Sequence, residues 1–364
     1  VIYYIGVKYL IDRVLIMYYD GTKLLSLKDL NGEQPEIYIV TTNRTGGKTT
    51  YFNKMLINRY IKQNKKFCLL YRYAYELDCV TEKFFKDIKC LFFNNYNMSE
   101  KKRAKGAFLE LFLQHENDDA QSCGYAVALN KADQLKKYSH LLSDVTSILF
   151  DEFMSENNEY CSNEIAKFYS IHSSIARGNG EMYRYVPVYM LANPVTILNP
   201  YYTALGISER LNKNTRFLKG NGWVMEQGYN ESASKAQKNS AFYKAFSGKE
   251  KYAEYGAQGI YLNDNETFIE RPKGRAQYLA TIKYDGNDYA IKAFANEGIV
   301  YCDTAIDESF PNKIAITTKD HNINYVMLSQ YSMFISQLRM FFDKGAFRFK
   351  DLKCKEAILT ALSY

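Results

Sequence analysis

Short apolar runs and longer mixed segments alternate along the first half of the chain. EIYIV (36–40), KFCLLYRY (66–73), TSILFDEF (146–153) and VPVYMLANP (186–194) have the length and continuity of buried strands. Segments of helical length and composition follow the first two, from 49 to 63 and from 76 to 88. Strands alternating with helices predict an α/β fold with a mostly parallel sheet covered on both faces. Residues 89–127 hold a basic, helix-prone run, SEKKRAKGAFLELFLQHE, expected as an inserted excursion. After Pro200 the texture changes. Residues 206–258 are rich in Gly, Ser, Asn and Lys with few apolar runs, the composition of a linker or lid. Beyond 259, short β-rich segments such as AQYLATIKY, DYAIKAFA and GIVYCDTA follow closely, and DGND between two of them is a hairpin signal. A helical stretch, YVMLSQYSMFISQLRMFFDKG, and a short tail close the chain. The expected organisation is an α/β domain at 1–205, a basic lid or linker at 206–258 and a smaller α+β domain at 259–364.

Length and composition agree with two domains. The chain has 364 residues, against roughly 150 per domain. With 47% hydrophobic and 24% charged residues it is globular in composition rather than disordered. The net charge of +7 suggests a polyanionic partner. That charge is uneven: +3 over 1–205, +4 over 206–258 and zero over 259–364. Seven cysteines (68, 79, 90, 123, 161, 302, 354) without a CxxC pair, and four histidines without His-x-x-x-His, argue against zinc and for reduced thiols in a cytoplasm-like compartment. The N-terminal VIYYIGVKYLIDRVLIMYY is broken by Lys8, Asp12 and Arg13. It reads as an amphipathic element rather than a signal peptide or a spanning helix, so no membrane role is expected. The chain begins with Val rather than Met, so its start is expected to be missing or processed.

The chemistry gathers at strand ends. TNRTGGKT (42–49) lies between a strand and a helix, the context of a loop whose backbone N–H groups wrap the β-phosphate of a nucleotide. Within it, Thr42, Asn43, Arg44, Thr45, Gly46 and Gly47 form the cradle, Lys48 reaches the β/γ oxygens, and Thr49 ligates Mg²⁺ beside Thr50. Thr42 departs from the first glycine of the motif. Taken alone, the stretch also fits a glycine turn capping a helix with a surface lysine. SILFDEF, about 100 residues on, ends an apolar strand in two acids, costly to bury without a cation. Asp151 is the metal carboxylate and Glu152 the general base for water attack on ATP. Asn193 ends another strand. Arg44 in the loop suits a γ-phosphate or a neighbouring subunit. Arg177, in the turn IARGNG, and Arg184 compete for the role of a cation completing a neighbour's site, with a plain surface role open for either.

Together, TNRTGGKT, LLYRYAYEL, SILFDEF, MLANPVTILNPYY, FIERPKGRAQYLATIKYDG and GIVYCDTAID resemble the genome-packaging (DNA encapsidation) ATPases of small protein-primed tailed phages, relatives of terminase large subunits. The similarity spans roughly residues 36–350, with a poor match in 95–120 and 206–255. It implies a P-loop ATPase domain of the ASCE type followed by an RNase H-like, nuclease-derived domain that no longer cuts. It implies a homo-oligomeric ring, thought to be five-membered, on the portal of an empty capsid, driving double-stranded DNA inward. Such a motor works in the host cytoplasm, transiently attached to the procapsid, and some members dock on a packaging RNA. By the same resemblance Lys48 and Thr49 are the P-loop pair, Asp151 and Glu152 the metal and base residues, Asn193 the coupling residue, Arg177 the trans-acting finger, and Arg72 an arginine near the nucleotide.

Arg210, Lys213, Arg216, Lys219, Lys235 and Lys238, and the KKRAK run at 101–105, are candidate DNA-phosphate contacts or simply a solvated basic surface. Three competing readings stay open. A nuclease-competent terminase needs clustered carboxylates, for which Asp285, Asp303 and Asp307 are available. A helicase-like translocase unrelated to capsids lacks further motifs, and a nucleotide-binding scaffold without turnover has Glu152 against it.

Overall fold

The computed structural model describes residues 19–246 and 268–363, apart from 158, 179, 198, 209 and 212–214. The chain divides into two compact units, Val1–Asn263 and Asp264–Tyr364. The amphipathic element expected at the N-terminus lies, but for Tyr19, outside the described residues.

Nine strands form the sheet of the first unit: β1 (Ile37–Thr41), β2 (Lys66–Tyr71), β3 (Tyr96–Arg103), β4 (Phe108–His115), β5 (Gln121–Ala128), β6 (Val145–Asp151), β7 (Val188–Ala192), β8 (Phe217–Gly220) and β9 (Trp223–Gln227). Its helices are α1 (Thr22–Ser26), α2 (Lys48–Gln63), α3 (Val80–Phe92), α4 (Ala132–Leu135), α5 (Glu164–Ala176), α6 (Pro200–Ala204), α7 (Glu231–Asn239) and α8 (Ala241–Phe246). The strand order is β3-β4-β5-β2-β6-β7-β1-β9-β8. The run β5-β2-β6-β7-β1-β9 is parallel, and β3, β4 and β8 are antiparallel additions at the edges. Leu24 of α1, Phe52 and Leu56 of α2, and Phe84 and Ile88 of α3 cover one face. Leu135 of α4, Ile175 of α5 and Tyr201 of α6 cover the other. Both faces of the central strands are therefore dry, which is why their sequences read as continuous apolar runs rather than alternating ones.

Register brings the polar strand ends together. Val40 of β1 and Asp151 of β6 both pair with Leu191 of β7. The loop after β1, the acids ending β6 and the residues after β7 thus emerge side by side at the carboxyl ends, where open α/β sheets bind ligands.

Two stretches depart from expectation. Residues 89–127 are not a helical excursion: α3 runs on to Phe92, and β3, β4 and β5 extend the sheet. Phe108, Leu109, Leu111 and Leu113 are buried on β4, and Ala104, Lys105 and Gly106 all take positive φ at the hairpin tip. Burial along the strand and closure of the hairpin override the helix propensity of Lys, Ala and Glu. Likewise, part of the 206–258 segment belongs to the sheet. Trp223, Val224 and Met225 are buried on β9, parallel to β1. Five residues suffice for a buried strand, too few to stand out in a polar segment.

The second unit has six strands: β10 (Gln277–Tyr284), β11 (Asn287–Phe294), β12 (Ile299–Asp303), β13 (Lys313–Ala315), β14 (Val326–Met327) and β15 (Phe347–Phe349). Their order is β14-β13-β10-β11-β12-β15. Three antiparallel strands are followed by two parallel ones on the other side of the first, which fits the RNase H-type sheet implied by the resemblance. The DGND hairpin forms, with Tyr284 opposite Asn287 and positive φ at both Asp285 and Gly286, the two-residue turn that such sequences favour. Helices α9 (Ser332–Asp343) and α10 (Leu352–Ser363) pack Ile335, Leu338, Ala357 and Ile358 onto this sheet.

Candidate nucleotide site

The loop after β1 is shaped by two glycines. Gly47 sits at φ 85 and ψ 10 as the N-cap of α2, a left-handed conformation costly for any residue with a Cβ. Gly46 has no room for one: a Cβ there would lie 2.8 Å from the Thr42 hydroxyl and 3.0 Å from the Asn43 carbonyl oxygen. Thr42 and Asn43 are buried beneath the loop. The departure from a glycine at Thr42 is matched opposite it, since a Cβ on Gly228 would approach Thr42 Cγ2 to 3.0 Å. The Asn43 side chain donates to the Asn230 carbonyl at 3.1 Å and accepts from the Asn230 N–H at 2.8 Å. Asn230 Nδ2 donates to the Gly46 carbonyl at 3.3 Å. The start of α7 therefore clasps the 42–49 loop. Neither Gly228 nor Asn230 was singled out by the sequence reasoning, because both lie far along the chain in a segment read as linker.

Lys48 and Thr49 open α2, and each meets a strand-end partner. Lys48 Nζ donates to Asn193 Oδ1 at 2.7 Å, and Thr49 Oγ1 donates to Asp151 Oδ2 at 2.8 Å. Burial lowers the Lys48 pKa, opposed by the nearby charges of Asp151 and Glu152. Asp151 Oδ1 accepts the N–H of Glu152 at 2.9 Å. Glu152 itself has φ 55, so the chain turns sharply where β6 ends and the carboxylate faces the cleft. Desolvation raises the Glu152 pKa, helped by Asp151 and Glu156 and opposed by Lys48 and Arg44. The adjoining cleft, of about 700 Å³, is walled by Arg44, Thr49, Asp151, Glu152, Arg72 and Asn193 among others. Hydroxyl and carboxylate oxygens side by side, with a lysine next to them, make a donor set suited to a hard divalent cation carrying a polyphosphate.

The sequence profile of the Podovirus DNA encapsidation protein (Gp16) family matches residues 12–362. The chain belongs to this family. It is 26% identical over 339 residues to the DNA packaging protein of Bacillus phage phi29, covering 92% of this chain and 94% of that protein. The DNA packaging protein of Bacillus phage B103 is 26% identical over 311 residues, covering 84% and 89%. Among solved structures, the bacteriophage phi29 viral genome packaging motor assembly superposes with a TM-score of 0.67 at 22% identity, covering 96% of this chain and 98% of that one. The phi28 gp11 DNA packaging motor gives a TM-score of 0.56 at 15% identity, covering 95% and 98%. The fold of this chain is shared with both along nearly its whole length.

The remaining candidates separate by position. Arg44 pairs with Glu156 across the cleft mouth. Thr50 faces a different groove, beside Tyr51 and Arg59. Arg72 is buried in the cleft wall and bonded to Glu164 and to backbone carbonyls behind the acid pair. Arg177 caps the end of α5, is exposed, and is not one of the described residues lining the cleft. Arg184 is committed to the backbone: Nη1 donates to the Val145 carbonyl at 3.0 Å and Nη2 to that of Ile175 at 2.6 Å.

In the second unit the carboxylates weighed for cleavage stand in separate settings. Asp303 accepts both of its oxygens' contacts from Lys292 Nζ at 2.8 Å. Asp285 sits in the hairpin turn, and Asp307 binds Ser309. No group of three or more His, Cys, Asp or Glu poised for a metal occurs among the described residues. The basic candidates also differ. Arg210 donates to the Lys219 carbonyl, Arg216 pairs with Glu226 and Lys235 with Glu231. Lys213 lies outside the described residues, whereas Lys101, Lys102 and Lys105 are exposed on the β3–β4 hairpin. No described helix is long and apolar enough to cross a membrane.

Proposed function

We propose that this chain is the ATP-hydrolysing motor subunit that drives double-stranded viral DNA into a preformed capsid. The observation that carries the reading is the pair of contacts joining α2 to the strand ends, Lys48 to Asn193 and Thr49 to Asp151. In this reading the N–H groups of the 42–49 loop and Lys48 bind the triphosphate. Thr49 and Asp151 hold Mg²⁺, which when bound neutralises charge on the β- and γ-phosphates. Glu152 takes the proton of the attacking water. Lys48 Nζ has three donors and spends one on Asn193 Oδ1, so a γ-phosphate bound to Lys48 would be coupled through it to Asn193 at the end of β7.

The active form is a homo-oligomeric ring, expected to be pentameric, seated on the capsid portal. Such work takes place in the host cytoplasm during transient attachment to the procapsid, with a packaging RNA as a further docking partner where one exists. Arg177, exposed at the end of α5, serves the cleft of the neighbouring subunit, where a cation stabilises charge in phosphoryl transfer. Arg184, tied to two carbonyls, is not free to do so. The exposed lysines of the β3–β4 hairpin meet DNA phosphates, whereas Arg210, Arg216 and Lys235 have partners within the chain. DNA cleavage is not part of the proposed activity, a reading supported by the engagement of both Asp303 oxygens with Lys292.

The test measures ATPase rate against oligomeric state, with and without duplex DNA. A rate that rises with assembly and with duplex, and falls at least about tenfold in Glu152→Gln while ATP binding persists, is the expected result. Mixing Arg177→Ala with Glu152→Gln subunits should partly restore hydrolysis. A rate independent of assembly and duplex, or no rescue at any ratio, refutes the ring motor or the trans finger respectively.

A further inference from the structure

Behind the acid pair lies a buried ion pair that the proposed chemistry does not itself use. Arg72 follows β2 and is 6% exposed, and Glu164 opens α5 at 4%. Arg72 Nε donates to both Glu164 oxygens, at 3.1 and 3.2 Å. Its two remaining nitrogens donate to successive backbone carbonyls, Nη1 to Glu152 at 3.4 Å and Nη2 to Phe153 at 2.5 Å. Phe150 and Tyr160 stack their rings against the guanidinium. Glu164 is in turn fixed by the Tyr201 hydroxyl at 2.7 Å and the Cys161 N–H at 2.7 Å.

We propose that Arg72, Glu164 and Tyr201 form a positioning triad that holds the Glu152 turn in its left-handed conformation and so aims the carboxylate, rather than contacting the nucleotide. Three facts converge. Glu152 has positive φ, which persists in a non-glycine residue only where surrounding contacts over-determine it. The two successive carbonyls that follow the Glu152 Cα, its own and that of Phe153, are gripped by one rigid planar fork, which a lysine cannot reproduce. A buried ion pair adds little stability against an apolar replacement, so its retention asks for a geometric reason. Tyr201 ties α6 to the triad, which gives the NPYY segment a task at the site. The sequence resemblance placed Arg72 near the nucleotide. It lines the cleft wall, but its donors go to Glu164 and to the Glu152 and Phe153 carbonyls.

This inference rests on Glu152 being the base, and the test separates the two. Arg72→Lys, Tyr201→Phe, Glu152→Gln and Arg72→Lys/Glu152→Gln are compared in the full chain by single-turnover hydrolysis and by the Kd of a fluorescent, non-hydrolysable ATP analogue. Misplacement of a reacting group by about 1 Å costs up to about a hundredfold. Arg72→Lys is therefore expected to slow hydrolysis by between about ten- and a hundredfold with Kd changed less than about threefold, and to add nothing in the Glu152→Gln background. Tyr201→Phe, which removes one hydroxyl, should slow hydrolysis about three- to tenfold with the same unchanged Kd. It carries the test if Arg72→Lys does not fold. A Kd that rises in step with the rate loss would make Arg72 a nucleotide ligand. An undiminished Arg72 effect on top of Glu152→Gln, or normal hydrolysis in Tyr201→Phe, would overturn the triad. Unchanged turnover in Glu152→Gln would instead remove the base assignment.

Discussion

Thr42 stands where the P-loop motif has a glycine, and the structure supplies a reason that can be measured. Its methyl occupies the space that a side chain at position 228 would need: a Cβ on Gly228 would sit 3.0 Å from Thr42 Cγ2, with the next contact, the Thr41 carbonyl oxygen, at an ordinary 3.7 Å. Gly228→Ala then strains one contact only. Closing a few tenths of an ångström puts its cost near the low end of overpacking, about 1 kcal/mol. Thr42→Gly loses a buried methyl and a hydroxyl that donates to the Asn43 carbonyl at 3.1 Å, and adds unfolded-chain entropy, together about 2.5 kcal/mol. Independent effects would sum to about 3.5 kcal/mol. In the double variant the new methyl enters the vacated space, so the strain and part of the lost burial both disappear. The double should then cost about 2 kcal/mol, a coupling of about 1.5 kcal/mol. Denaturant unfolding of the four proteins gives the cycle. Nucleotide affinity should follow the same pattern, with Gly228→Ala weakening it and the double restoring it. Gly46→Ala is the comparison: Thr42→Gly removes its 2.8 Å clash with the Thr42 hydroxyl but leaves the Asn43 carbonyl oxygen 3.0 Å from the added Cβ, so rescue there should be only partial. Additive costs in the cycle would refute the complementarity of Thr42 and Gly228.

Two further outcomes follow from the electrostatics. Glu152 must be ionised to accept a proton and its pKa is raised, so turnover should fall with decreasing pH through a limb above the ordinary glutamate value of 4.5. The folded state holds that proton more tightly than the unfolded one, so ionisation destabilises the fold as pH rises through this window. Glu152→Gln should therefore raise the melting temperature at neutral pH, with the gain vanishing below about pH 4, and an equal or lower Tm at pH 7 would contradict it. At the hairpin, replacing Lys101, Lys102 and Lys105 together by alanine should weaken duplex binding without sequence preference and flatten the log Kd against log salt slope by about 2.7. An unchanged slope would move DNA contact elsewhere.

The sequence made legible whatever depends on a short local run with its own chemistry. β1, β2, β6 and β7 announce themselves as apolar stretches, and the loop and acid pair sit at their ends, so Lys48, Thr49, Asp151 and Glu152 fall together once the strands are laid parallel. The Lys48–Asn193 contact was likewise implicit in the register of β1 with β7. What stayed hidden depends on long-range closure. The helix-prone KKRAK run became a hairpin because β4 buries four apolar side chains against the sheet, a tertiary gain larger than propensity differences of a few tenths of a kcal/mol per residue. Gly228 and Asn230 matter only because β9 runs beside β1, and nothing local in a polar segment signals that pairing.

Arg72 shows a different kind of illegibility. A cation just after a strand, in the neighbourhood of a phosphate loop, reads as a phosphate ligand, and only the direction of its donors says otherwise. Each of the three guanidinium nitrogens already donates, to Glu164 or to the carbonyl of Glu152 or Phe153. Turning any of them toward a nucleotide would strand a buried carboxylate or carbonyl, at about 1–3 kcal/mol for a neutral group and more for a charged one. That loss would fall on the turn that carries Glu152, the proposed base, so a nucleotide contact by Arg72 would oppose the reaction it was meant to assist. The arginine serves the chemistry better from behind, and the same reasoning locates its partner Glu164 at the start of α5, where the helix that ends in Arg177 begins. The partner that anchors Arg72 is therefore joined, through a single helix, to the residue proposed to reach the neighbouring subunit.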